Sequence, residues 1–315
     1  MKKNFIFRRS YRIIRHRAAE KLIALLIIAV GVTAAQTTIT LKNNFIEKYK
    51  NRTTITAGYT VDKAHDKPNS AKKDGDLHIA GRAPEIKLPV VSEIMNAKDQ
   101  KEAVDLVHQH ENSGDPVNVT GAWRIWCEHG GQSEQVQGRK LSKFTTTNPD
   151  HVFEIHPATR IGDILLLGSL KTIDGFEPKD AEQAFTSYEG KQCQIRGDSV
   201  KHTTTITTPM AGYNYVEFIM ELNEAPFDVE DGKLVMASIY DVNEDLLVRN
   251  RRMVFIKDTE PEKKLKDLKS GDRLHVLGIP RINLALVSWR MRNAVRRPEV
   301  LTWNLPYEMI IVGVY

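Results

Sequence analysis

From residue 53 onward the chain is built of short apolar runs, alternating with polar side chains and separated by turn formers. Residues 53–61 (TTITAGYTV) are β-branched and aromatic and predict a strand. Residues 62–76 (DKAHDKPNSAKKDGD) carry the polar, turn-forming residues of a long loop. Residues 77–81 and 88–95 supply two further strands. The period then changes. Ala103, Val104 and Val107, with Leu106 beside them, lie at helical spacing, with Asn96 as N-cap and Gly114 as stop. Two more strands follow in PVNVTGAWRIW and HVFEIHPATRI. Three strands, a helix and two strands is the order of an OB-type five-stranded barrel.

The order returns later in the chain. Residues 113–126 (SGDPVNVTGAWRIW) and 270–283 (SGDRLHVLGIPRIN) agree at seven of fourteen positions with a constant offset of 157. Such a distance is too long for a solenoid repeat and indicates a duplicated domain. A helix precedes the second copy in TEPEKKLKDLK, where Thr259 and Glu262 form a capping box, Pro261 sits in the first turn and Gly271 ends the helix. YNYVEFIMEL, KLVMASIYDV, LLVRNRRMVFI and YEMIIVGVY supply the remaining strands. The expected fold class is mainly β with short helices (α+β): two OB-like five-stranded barrels, at residues 53–158 and 209–315. Residues 159–208 are read as a connecting β/α segment that decorates the second barrel.

Three stretches, DGDLHIAGRAPE, PVNVTGAWRIWCEH and FEIHP, carry a DGDxH, VxVTG and ExHP pattern. In this the chain resembles a group of uncharacterised bacterial exported proteins. The resemblance covers residues 74–160. It implies an OB-like fold and an exported compartment, and assigns no catalytic residue.

Charge places the N-terminus apart from the rest. The net charge is +5, but residues 1–21 hold eight basic residues against Glu20 alone, so the remainder of the chain is close to −2. An acidic body argues against nucleic acid as a partner. The uncharged run LIALLIIAVGVTAA follows the basic segment, with small-residue cleavage patterns ending at Ala34 and Ala35. Continuation through QTTITL to Leu41 lengthens it to a marginal span. Residues 1–41 therefore read either as a cleaved signal peptide or as a membrane anchor, and the body as periplasmic or otherwise extracytoplasmic. That compartment permits a disulfide between Cys127 and Cys193, which their spacing does not establish.

The candidate chemistry gathers around HVFEIHP, residues 151–157. Strand alternation puts Glu154 and His156 on one face and His151, Phe153 and Ile155 on the other. The apolar pair should face the core, leaving Glu154 and His156 outward as the candidate acid–base or metal pair. His78, Glu128 and His129, with Asp76, are the candidate metal ligands that neighbouring strands could add. Aligning Tyr307-Glu308-Met309 with Phe153-Glu154-Ile155 keeps the glutamate and loses the histidine. Trp123 should be core, and Arg124 with Trp126 could form an exposed ligand-binding patch. No P-loop, dinucleotide glycine pattern, G-x-S-x-G or HExxH is present, and no cofactor is expected. The first expectation is a non-enzymatic binding protein of the cell envelope for a protein or glycan ligand. The second is a metal-dependent hydrolase, a nuclease among the options, on the same scaffold.

Overall fold

The computed structural model describes residues 36–131, 134–293 and 300–315. The basic leader and its apolar run lie outside these residues. Among the described residues no helix is long and apolar enough to cross a membrane.

The first barrel contains β1 (Thr54–Ala64), β2 (Leu77–Arg82), β3 (Val90–Ile94), α1 (Lys101–His110), β4 (Val117–Ile125) and β5 (Phe153–Ile161). β1 pairs with β2 and β4, β2 with β3, and β5 with β4, all antiparallel; a parallel β3–β5 pairing closes the ring. In β1, Ile55, Ala57, Tyr59 and Val61 are buried at every second position, as the alternation requires. Ala103, Val104 and Val107 are the buried face of α1. That helix starts later than the sequence suggests. Asn96 takes a left-handed conformation (φ 50°) and gives its side-chain amide to the Ser169 carbonyl at 2.8 Å, so it makes a tertiary contact in place of a cap.

The second barrel repeats the scheme with β6 (Val216–Leu222), β7 (Gly232–Tyr240), β8 (Leu246–Ile256), α2 (Glu260–Lys264), β9 (Arg273–Ile282) and β10 (Tyr307–Val314). Its ring runs β6–β7–β8–β10–β9 and back to β6, with β8–β10 the parallel pair. Thr259 caps α2, its hydroxyl accepting from Glu262 N. Both barrels are closed and five-stranded, with the helix between third and fourth strands.

A third sheet was not anticipated. Its strand order is Val300–Asn304, Gln192–Asp198, Thr203–Pro209, Gln36–Lys42 and Glu134–Val136. Residues 192–209 thus link a strand from the start of the described chain to Val300–Asn304, which lies between β9 and β10 of the second barrel. Residues 36–41 do not prolong an apolar span. Thr37, Ile39 and Leu41 are buried while Thr38 and Thr40 face outward, a period of two that belongs to an amphipathic strand. Outward threonines pair across the ladder, Thr38 with Thr207 at 3.2 Å and Thr40 with Thr205 at 2.9 Å.

The outer face of the second barrel, through Leu234, Val254, Leu277, Ile279, Ile310 and Val312, packs in one apolar cluster with Met95 and Ala122 of the first barrel and with Leu170, Ile173 and Tyr215. This packing decides what happens at β5.

Candidate functional site

Strand alternation on β5 is as expected: Phe153 and Ile155 join the core, and Glu154 and His156 share the opposite face. That face is not outward. Glu154 is 1% exposed and His156 fully buried: Arg124, itself bound to β9, meets Glu154, and Tyr215 meets His156. The correction has a simple cause. Period two sorts side chains between two faces of a strand, and a second packed layer then buried both.

Register pairs Arg124 of β4 directly with Glu154 of β5. The two side chains form a buried ion pair through Arg124 Nη1 and Glu154 Oε2. Arg124 also reaches Glu128, at 3.5 Å, and gives its Nε–H to the Pro280 carbonyl at 2.8 Å. Arg124 and Trp126 are both buried, so they form no exposed ligand patch. Trp123 is core, as expected. Burial works against the Glu154 carboxylate, but Arg124, then His151 and His156, hold its pKa well below the usual range.

His156 lies between carboxylates. Its Nδ1 stands 3.3 Å from Glu154 Oε2 and 3.4 Å from Glu93 Oε2. Its Nε2 is 2.8 Å from the Tyr215 hydroxyl and 3.4 Å from Asp76 Oδ2. Burial lowers the imidazole pKa; Glu93, Asp76 and Glu154 more than reverse this and push it up to about 10. Burial likewise raises Asp76, to about 6 against the pull of His156. Glu93 is drawn down by His156 and His78 despite its burial.

The other candidates divide. His78 belongs to the cluster, its Nε2 3.6 Å from Glu93 Oε2 and its ring stacked on His65. His151 precedes the strand, so alternation does not bind it; its Nε2 comes within 3.4 Å of Glu154 Oε1. His129 stacks on His151 with centroids 5.2 Å apart, and Glu128 reaches Arg124, so neither joins the triad of Asp76, Glu93 and His156. Cys127 and Cys193 are both buried free thiols. Glu93 and Tyr215 were missed. Glu93 is the one charge in the buried strand VVSEI, and that isolation was the available signal. Tyr215 carried none, since its partners are 59 and 139 residues away.

In the second barrel the same cross-strand pair recurs: Arg281 of β9 is in register with Glu308 of β10, at 2.6 Å. His156 is replaced there by Ile310, which faces the apolar cluster between the barrels. The Arg–Glu pair is therefore a property of the duplicated barrel, and the histidine–carboxylate cluster belongs to the first copy.

The chain is a tandem OB-type barrel protein with a sealed polar centre. No family model and no curated protein matches it. Among solved structures, one described as "Structural mimicry for functional antagonism" is similar at 13% identity and a TM-score of 0.18, over 75% of this chain and 90% of that one. A likeness this loose carries no argument.

Proposed function

We propose that the chain is a non-enzymatic, exported binding protein of the cell envelope, and that its ligand is a glycan. The observation that carries this reading is the burial of the catalytic candidates. Glu154 is committed to Arg124, and His156 to Tyr215 and three carboxylates, with nothing exposed for a substrate to meet. The chemistry offered to solvent lies elsewhere. Thr40, Thr203 and Thr205, with Lys42, Arg196 and Lys201 and the carboxylates Glu134 and Asp198, line a groove of about 700 Å³ on the third sheet. Hydroxyls and charged side chains of both signs suit a polyhydroxylated ligand. The uncharged run after the basic leader supports export, by cleavage or by anchoring.

The alternative is a metal-dependent hydrolase. Its support is the proximity of Asp76, Glu93 and His156; their burial weighs against it. Binding of the full-length chain to an array of envelope glycans tests the first reading. Retention that drops in Arg196→Ala supports it. Absence of retention, or hydrolytic turnover lost in a folded Glu154→Gln variant, would sink it.

A further inference from the structure

Tyr215 fixes the state of the His156 ring. Its hydroxyl donates to Asp76 Oδ2 at 2.6 Å, so toward His156 Nε2, at 2.8 Å, it can only accept. His156 therefore carries a proton on Nε2. Its Nδ1 then faces two carboxylate oxygens, Glu154 Oε2 at 3.3 Å and Glu93 Oε2 at 3.4 Å. A lone pair aimed at two anions is repulsive, so a positive charge belongs between them, either a proton or a metal cation.

The distances favour the metal. A charge-assisted N–H···O bond closes to about 2.7–2.9 Å, and both separations here are longer. Donors bound about 2.0–2.2 Å from one zinc ion stand about 3.4 Å apart on a tetrahedron. Ligand atoms of Asp76, Glu93 and His156 all lie within 4.8 Å of one another. Two further observations point to an ion. Asp76 Oδ1, on a side chain only 1% exposed, has no hydrogen-bond partner. Both ring nitrogens of His78 are buried without one, and Nε2 stands 3.6 Å from Glu93 Oε2.

We propose that Asp76, Glu93 and His156 Nδ1 bind one divalent transition-metal cation, zinc fitting best, with His78 as the adjacent fourth donor. Binding exchanges the ion for any proton on Nδ1. Tyr215 then orients the ring from its far side, the usual work of a partner behind a metal-bound histidine. The site is sealed, so the ion is a structural tie joining β2, β3 and β5. This inference is independent of the ligand proposed for the third sheet.

The test uses the full-length chain, purified in detergent, stripped with a chelator and titrated with zinc sulfate by calorimetry; cobalt(II) serves as a spectroscopic probe. One equivalent of zinc should bind, and Tm should rise with it. A folded Glu93→Gln variant should bind at least about tenfold more weakly, while His129→Gln binds as the parent does. Should Glu93→Gln fail to fold, the parent's cobalt spectrum decides alone: visible bands of a low-symmetry site support the proposal. A folded parent chain that takes up neither metal at millimolar concentration overturns it, as does unchanged binding by folded Glu93→Gln.

Discussion

Arg124 and Arg281 occupy equivalent positions of the two barrels, and each donates to the carbonyl of the residue that precedes the other. Arg124 Nε reaches Pro280 O at 2.8 Å, and Arg281 Nη1 reaches Trp123 O at 3.0 Å. Each arginine is also paired with the glutamate opposite it on the next strand. The contact has an approximate two-fold character, with β4 and β9 each supplying an arginine donor and a carbonyl acceptor to the other. Arg281 is further bound to the carbonyls of Arg52 and Thr53 and lies 3.6 Å over the Trp123 ring. A charge so buried is tolerated because every direction around it holds an acceptor or a π face.

Breaking this contact should be costly in an asymmetric way. Arg281→Met leaves Glu308 buried with Arg252 alone and strips three carbonyls of a donor. The expected loss is about 3–5 kcal/mol in urea unfolding. Arg281→Met combined with Glu308→Gln should lose less than the sum of the two single variants, because the stranded charge is gone. Strict additivity in that cycle would show that the pair is not coupled.

Gly121 and Gly278 are the same residue of the repeat in different surroundings. A Cβ on Gly121 would meet backbone, Pro157 O at 2.4 Å and Ala158 Cα at 2.7 Å. A Cβ on Gly278 would first meet the edge of the Phe218 ring at 2.9 Å, which can give way. Gly121→Ala should therefore cost about 3 kcal/mol, the upper end of overpacking, and Gly278→Ala clearly less. Chemical denaturation of the two variants compares them directly; equal losses would contradict the geometry.

Tyr215→Phe removes only one hydroxyl, yet that group serves both Asp76 and His156. The change should cost about 1–3 kcal/mol by leaving buried polar atoms unsatisfied. A thermal melt indistinguishable from the parent's would show that the hydroxyl holds nothing in place.

The thiols predict a pH effect. Burial, with Cys193 nearby, pushes Cys127 up to about 12; burial pushes Cys193 up to about 11 against the pull of Arg290. A raised pKa means that the folded state holds the proton more tightly. The contribution is then complete below the usual thiol pKa and is lost as pH rises through about 11 to 12. Stability should fall across that alkaline window, and less steeply in a Cys127→Ala, Cys193→Ala chain. In the native protein at neutral pH both thiols should resist a disulfide-exchange reagent until unfolding exposes them.

Much of the fold was legible because local rules suffice for it. Period two placed Ile55, Tyr59 and Val61 inward, Thr259 announced its helix, and the repeat around Arg124 and Arg281 announced two barrels. The site was legible in part. His156, Asp76 and His78 could be named because histidine and aspartate are conspicuous, whereas Arg124 and Trp126 were misplaced on the surface. The same repeat held the clue: an arginine kept at both copies, with a glutamate kept on the following strand, marks a buried pair better than an exposed patch.

By itself the sequence determined the order of elements, the duplication and the division of each strand into two faces, since these follow from side-chain spacing along the chain. Only the tertiary structure decided that the second face of β5 is covered, that Glu93 and Tyr215 close around His156, and that Gln36–Lys42 pairs with Thr203–Pro209. Those facts rest on contacts between residues 59 to 173 positions apart. Alternation along a strand states which residues share a face and carries no information about what will be laid upon it.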